Sequence, residues 1–419
     1  MKRCKAFIVN GKKYIFDGES VEIVVSPNYT SKSKILNKPN EHRTSHLKSL
    51  CLVLNNSCNL CCDYCFANKG VYDKPNEQMT FVTAKKAIDF LVSSATANGT
   101  NNVAISFFGG EPLLSFNLIK KCVDFCENTY EGVNFEYMIT TNGTLLTPEI
   151  VEFMQKHKFD IMISIDGTRE LHNFYRKYKS QKGSYDDIVK NINLFRNKKM
   201  LNARITITDN NPEIHSYIDS ILELGIERIT YAVDYNISSD SFSKFLKSLN
   251  LLFEKYYHDV SNGKFYDITN FSSVITAIAL HQRRLTFCNA GISYLTVSAD
   301  GSYYRCPRFI GNKDFCLSNV NNSNDALEEM KKFKESLKES PKDRNLECKT
   351  CIYEYVCGGM CYHHSVMMGK KQFENVPREC MQRRTTFDKI IHMICALSAE
   401  NRRQLLLYYT NLWNIVKRR

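Results

Sequence analysis

The sequence has no apolar run long enough to cross a membrane, and its basic start, Met1-Lys2-Arg3-Cys4-Lys5, leads into no apolar segment of signal-peptide length. These absences exclude membrane-spanning helices and leave no argument for secretion, so the expected location is the cytoplasm. No internal repeat stands out beyond an alternation of strand and helix patterns. Tryptophan occurs once, at Trp413. Cysteine, by contrast, is abundant, and its count of 17 is odd. In a reducing compartment that number disfavours a disulfide framework and favours metal. With 419 residues, 43% of them hydrophobic, the chain can bury a substantial core in two or three domains. The net charge of +12 fits nucleic acid, an acidic peptide partner or simple solubility. Its basic residues are scattered, and Lys417-Arg418-Arg419 reads as a solvated tail, so nucleic acid is not the expected partner.

Phe7 and Val9, then Tyr14 and Phe16, alternate around Asn10-Gly11, the signature of a hairpin, and Val21–Val25 supplies a possible third strand. The polar stretch Pro27–His46 reads as a linker. From Leu50 onward short apolar runs predict strands at 51–54, 103–107, 135–140, 161–165, 203–207 and 229–233. Between them lie amphipathic segments. One has Thr83 as its N-cap and ends at Gly99; another opens with Thr147-Pro148. Six strands with crossover helices imply an α/β fold with a parallel sheet, open or curled into a partial barrel, whose active site lies at the carboxyl ends of the strands. Asp240–Tyr257 and Ile275–His281 read as helices, Ala326–Glu339 as an exposed helix, and Arg384–Val416 as a helical end.

Two cysteine patterns carry chemistry. The first is CxxxCxxC, formed by Cys58, Cys62 and Cys65 with Phe66 following, in the loop after the first predicted parallel strand. The second has Cys288 and Cys306 separated by Gly301, then Cys348, Cys351, Cys357 and Cys361 as CxxCxxxxxCxxxC, and finally Cys380. Thiolates are the ligands that iron–sulfur clusters require. Zinc is the alternative in both cases, as half a site for the triad or a zinc ribbon for the later run, but seven is an awkward count for sites that use fours. Gly109-Gly110-Glu111-Pro112, Thr141-Asn142-Gly143 and Ser164-Ile165-Asp166-Gly167 follow successive strands, where one ligand could touch all of them. Taken singly, each could be an ordinary turn, and Arg204 on the fifth strand could simply snorkel.

With these motifs the chain, from about Leu50 to Cys380, resembles the radical SAM superfamily, and within it the members with a SPASM domain. The resemblance implies a partial (β/α)6 barrel followed by a cysteine-rich domain with two auxiliary clusters, preceded by a short N-terminal β-hairpin. The implied divisions are 1–47 for the hairpin and linker, 48–237 for the barrel, 238–284 for a helical bridge, 285–382 for the SPASM domain and 383–419 for the helical end. It implies three [4Fe–4S] clusters and S-adenosylmethionine (SAM). Cys58, Cys62 and Cys65 would hold the cluster whose open iron chelates SAM, reductive cleavage of which yields a deoxyadenosyl radical that takes a substrate hydrogen. Gly109 and Gly110 would let the backbone approach the methionine moiety, Glu111 would accept from its ammonium, and Arg204 would face its carboxylate. Phe66, Asn142, Ser164 and Asp166 would complete the cofactor site, with Ser164 on the ribose. His172 and Arg176 match a family pattern after Asp-Gly and read as structural. Cys288, Cys306 and Cys361 would hold the first auxiliary cluster, and Cys348, Cys351, Cys357 and Cys380 the second.

Family members whose first auxiliary cluster is fully ligated carry a further cysteine shortly upstream of the first, and Phe271–Phe287 contains none, so the resemblance implies three protein ligands and one open iron there, unless Cys316 fills it. A substrate thiolate could occupy that position. The implied function is therefore maturation of a ribosomally synthesised peptide, most simply by joining a cysteine sulfur to a carbon in a thioether. The expected partners are a cysteine-containing precursor peptide with a leader and an electron donor such as flavodoxin or ferredoxin. The alternatives are an anaerobic sulfatase maturase forming formylglycine and a peptide cyclase forming carbon–carbon or carbon–oxygen links. Sulfatase maturases usually show Gln before GGEP and Asp after the second SPASM cysteine, where this chain has Phe108 and Pro307. The N-terminal hairpin resembles the opening strands of leader-binding domains, although the helices of such a domain do not follow within 50 residues.

Overall fold

The computed structural model describes residues 4–26, 46–72, 74–337, 346–348, 350–370 and 374–418. At the N-terminus Asn10 and Gly11 turn β1 (Cys4–Val9) onto β2 (Lys12–Asp17), both with positive φ, 50° and 74°, as this tight turn demands. β3 (Glu22–Val25) adds antiparallel to β2, giving the order β1-β2-β3. Phe16 is buried with its ring 5.9 Å from Tyr353, and Lys5 pairs with Asp388 on the helix Pro377–Ala396. The small sheet is thereby fastened to the cysteine-rich part of the chain. The linker expected at Pro27–His46 lies outside the described residues, apart from His46, which is buried.

The six strands of the βα series are β4 (Ser49–Val53), β5 (Asn102–Phe108), β6 (Asn134–Thr141), β7 (Asp160–Ser164), β8 (Leu201–Ile207) and β9 (Arg228–Val233). They pair in parallel and in chain order. Ile105, Phe107, Ile161, Ile163, Ile205 and Ile207 are fully buried, as strands covered by crossover helices must be. β10 (Asp267–Ile268) extends the β9 edge, and β11 (Tyr294–Val297) pairs in parallel with β4 at the other. β12 (Ser302–Tyr304) and β13 (Cys316–Asn319) continue antiparallel beyond β11. The ten-stranded sheet is open among the described residues, since β10 and β13 are its two edges. After β10 the chain thus returns beside β4, the strand that leads into the first cysteine loop.

The first crossover helix is Phe81–Thr96 and its cap is Thr80, not Thr83: Thr80 Oγ1 accepts from the Thr83 N–H at 3.1 Å. Phe81 enters the helix because its ring packs edge-on against Phe125, 5.9 Å away, which draws the helix start back by three residues. Thr147 caps Pro148–Lys156 as its sequence predicts. The helix Ser323–Ser336 is less exposed than expected, for it buries Ala326, Met330 and Phe333 along one face. The helical end comprises Pro377–Ala396 and Ala399–Arg418, the latter held by a hydrogen bond of 2.6 Å between the Tyr409 and Tyr256 hydroxyls.

Candidate active site at the carboxyl ends of the parallel strands

The loop after β4 and the loop after β5 are laced together by main chain. Gly110 N–H donates to Asn55 O (3.0 Å), Glu111 N–H donates to Ser57 O (2.8 Å), and Asn55 Nδ2 reaches Glu111 O (3.0 Å). A Cβ on Gly110 would lie 2.2 Å from Ser57 O, and one on Gly109 would lie 2.9 Å from Asn55 O. The glycine pair was expected to admit the methionine moiety. The chain's own approach to the cysteine loop already requires both positions to lack a side chain.

Glu111 is buried, and its carboxylate accepts from Leu113 N (3.0 Å), Thr141 Oγ1 (2.7 Å) and Asn142 N (2.7 Å). Burial nonetheless holds its pKa above the ordinary carboxylate range. One lone pair on Oε2 remains for a further donor, as the expected ammonium contact requires. Asn142 sends Nδ2 to Asn59 Oδ1 (2.9 Å) and towards Cys58 Sγ (3.8 Å), which also receives the Leu60 N–H at 3.4 Å. Burial, with Glu111 and Cys62 nearby, pushes the Cys58 thiol up to about 12. The Cys62 thiol is likewise raised by burial, and Arg176 pulls it back.

Arg176, read from the sequence as structural, lies against the first cysteine loop. It is buried, donates Nη1 to Tyr64 OH (2.8 Å), and is the guanidinium beside the first cysteine loop. Its signal was the match after Asp-Gly, which sequence alone leaves as scaffold. Tyr64 donates to Asp166, whose carboxylate also accepts from Thr206 N at 2.9 Å. Asp166 is therefore turned inwards among protein donors. His172 keeps its structural reading, bridging Asp166 N (3.3 Å) and Ser184 Oγ (2.9 Å). Ser164 and Arg204 sit opposite each other across β7 and β8. Phe66 is half exposed, with Tyr72 and Phe108 rings 6.2 and 6.3 Å away.

The later cysteines form two groups. Cys348, Cys351, Cys357 and Cys380 line one cavity. Arg383, from the helix Pro377–Ala396, donates to Cys357 Sγ (3.4 Å) and Gly359 O (2.8 Å) and pairs with Glu379. Cys288, Cys306 and Cys361 form the other group: burial raises all three thiols, and Cys361 adds to the shift of Cys288 and of Cys306. Gly358, with φ of 70° and a hypothetical Cβ 2.4 Å from Thr286 O, lets the strand of chain before Cys288 lie against the Cys357–Cys361 turn. Cys316 is exposed and its Sγ faces Ser318 O. Cys51, Cys122, Cys126 and Cys395 are buried thiols, as expected.

Among the described residues no three of His, Cys, Asp and Glu converge on one point as a single ion requires. A four-iron cube carries its thiolates on separate irons and so holds them farther apart. The donor set of soft sulfurs, half-buried for the most part and accompanied by guanidinium groups, fits such a cluster. Between the strand ends and the later cysteines lies a cavity of about 490 Å³. Arg204, Tyr235, Arg308, Cys357, Cys361 and Glu379 are among its walls.

Residues 52–213 match the radical SAM superfamily pattern. An uncharacterised protein of Methanocaldococcus jannaschii is 32% identical over 66% of this chain and 90% of its own length. The cysteine-type anaerobic sulfatase-maturating enzyme of Clostridium novyi is 25% identical over 75% of this chain and 88% of its own. Among solved structures, anSMEcpe with bound AdoMet superposes with a TM-score of 0.70 at 22% identity, over 87% of this chain and 99% of that one. Streptococcus suis SuiB bound to precursor peptide SuiA gives 0.54 at 18% identity, over 80% and 76%. No helix among the described residues is long and apolar enough to cross a membrane. The pattern match over the strand-end loops and the shared fold agree with the thiol geometry: the chain belongs to the radical SAM superfamily of enzymes, which carry a [4Fe–4S] cluster and use S-adenosylmethionine.

Proposed function

We propose that this chain is a peptide maturase that closes thioether links between a cysteine sulfur and a carbon of the same precursor. Cys58, Cys62 and Cys65 would hold the SAM-binding cluster; Cys288, Cys306 and Cys361 a first auxiliary cluster; Cys348, Cys351, Cys357 and Cys380 a second. When bound, the first cluster and SAM supply one-electron cleavage of a sulfonium and, with it, hydrogen-atom abstraction. The chain's own residues position and exclude. Asn142 and the Leu60 N–H orient Cys58 Sγ, Arg176 offsets thiolate charge beside Cys62, and the Tyr64–Asp166–Thr206 chain fixes the loop that carries both.

The observation that carries this reading is the trio of Cys288, Cys306 and Cys361, with Cys361 on the wall of the large cavity and Cys316 Sγ directed instead to Ser318 O on its own strand. A three-thiol set leaves one position for a substrate sulfur, and the cavity gives that sulfur a way in. The sulfatase-maturase reading draws on the names of several relatives, but the acid that family places after its second SPASM cysteine is replaced here by Pro307. Anaerobically reconstituted enzyme, dithionite, SAM and a cysteine-containing precursor should give peptide lighter by two hydrogens per link, with the cysteine no longer alkylated by iodoacetamide. Formylglycine instead, or unchanged peptide with deoxyadenosine released, counts against it.

A further inference from the structure

The large cavity is rich in guanidinium groups. Arg204, Arg284, Arg308, Arg378 and Arg383 line it, against the carboxyls of Asp234 and Glu379. Three of these groups have evident local roles. Arg383 is paired with Glu379 and bonded to Cys357 Sγ and Gly359 O. Arg378 donates to Ile237 O and to Ser239. Arg284 lies beside Cys357 and Arg383. Arg204, on β8, is the group the family resemblance assigns to the carboxylate of SAM. Arg308 remains.

Arg308 follows Cys306-Pro307 and extends into the cavity as a flat group between two aromatic faces. Its guanidinium carbon is 4.5 Å from the Phe66 ring centroid and 5.1 Å from that of Tyr235. No carboxylate lies within ion-pair distance of it among the described residues, and its side chain donates no hydrogen bond there. Stacking satisfies the faces of a guanidinium but not its edge, which carries the N–H donors and matches a carboxylate in a bidentate fork. The two ring contacts restrain the side chain and leave that edge to a ligand. Arg204 stands near enough that Arg308 adds to the cost of its burial. Two like charges on the wall of one cavity are relieved by anions, one for each. We propose that Arg308 is a specificity determinant that receives a carboxylate of the peptide substrate, from an acidic side chain or the peptide C-terminus, while SAM occupies Arg204.

This rests on the reading of the cavity as the peptide site, but not on the type of bond formed. The competing role for Arg308 is counter-charge to Cys306 and Cys361, its near neighbours. The test uses anaerobic holoenzyme saturated with SAM and three N-acetylated cysteine-containing hexapeptides. These differ only in bearing Glu with an amidated C-terminus, Gln with an amidated C-terminus, or Gln with a free C-terminus. Wild-type enzyme should bind one of the two carboxylate peptides about tenfold or more tighter than the neutral one by calorimetry, the worth of a charge-assisted fork. Which peptide it prefers identifies the source of the carboxylate. Arg308→Gln should bring the ratio to one, and Arg308→Lys should keep part of it, because a point charge lacks the fork. The ratio within each protein is the readout, so a general loss of affinity does not imitate the effect. Equal binding of the three peptides by wild type, no binding of any, or a preference that survives in Arg308→Gln overturns the proposal. SAM cleavage by wild type in the same preparations separates the cases: cleavage without carboxylate preference sinks this inference alone, whereas no cleavage sinks the catalytic reading beneath it.

Discussion

Around Cys58 the sulfur's neighbours are an asparagine amide and a main-chain N–H, held in place by a buried carboxylate; around Cys357 the neighbour is the Arg383 guanidinium, itself paired with Glu379. The first site is assembled from loops that follow consecutive parallel strands: Asn55 ties the loop after β4 to the loop after β5, Glu111 ties that one to the loop after β6, and Asp166, after β7, reaches back to Tyr64. The second is assembled from turns and helix ends, with a positive-φ glycine and ion pairs in place of a sheet. A site built on strand ends is sensitive to steric change and indifferent to salt. A site built on charge is sensitive to pH and to the loss of one partner.

The sharpest way to break this contrast is Gly110→Ala. The new Cβ would meet a main-chain oxygen that belongs to the cysteine loop, so the loop must shift, at a cost of about 3 kcal/mol or more. Iron should be lost from the first site while any iron held by the later cysteines, as proposed above, stays, read as iron per chain and as loss of SAM binding. Equal loss from both would mean that the two regions do not stand independently.

Arg383→Gln comes next. Burial would raise the Glu379 carboxyl, but Arg383 and then His364 more than offset it and hold it below the ordinary range. A carboxyl depressed by folding contributes stability above its unfolded pKa and loses it as pH falls through the folded value. Removing Arg383 should therefore cost roughly 3 kcal/mol near neutral pH, because it leaves a buried carboxylate half-paired. The difference from wild type should shrink as pH falls below about 4, where Glu379 is protonated in the unfolded chain. Thermal unfolding of both proteins across that range checks it, and a pH-independent difference would place the arginine's value in packing against Phe287 instead.

The smallest effect should come from the link between the two regions. Asp300, in the turn between β11 and β12, accepts from Lys74 (2.6 Å), Ser298 (2.5 Å) and Ser302 N–H (3.0 Å). Burial works against its ionisation, yet these donors, Lys74 foremost, hold its pKa at about 2. Asp300→Asn should cost about 1 kcal/mol, since Lys74 is largely exposed and water screens the pair. That loss should be present above about pH 4 and fade as pH falls towards 2 in urea titrations. A larger loss would mean that the Lys74 loop depends on the later region for its order.

The six-strand rhythm was legible because strands buried on both faces read as short apolar runs, and every strand lies within two residues of its expected place. β10 was not foreseen, since two residues carry no period. β11 and β12 were not foreseen because their partners are remote: Tyr294 pairs with Ser49, and nothing local to either reports the other. The cap at Thr80 was missed for a related reason, as Phe81 enters its helix to meet Phe125.

By itself the sequence determined which chemistry was available, because cysteine spacing fixes which thiols lie on one loop, and the CxxxCxxC triad followed by the strand-end motifs marks the radical SAM pattern. It also determined the order of the loops along the sheet, since parallel strands with short crossovers leave little choice. Tertiary structure alone decided that the glycine pair serves the cysteine loop, that Asp166 turns inwards and that Arg176 stands beside Cys62. It decided, too, that Arg308 packs against two rings from distant segments on the wall of the large cavity. Contacts of this kind join residues tens to hundreds of positions apart, and their energies depend on burial and on neighbours that no local pattern encodes.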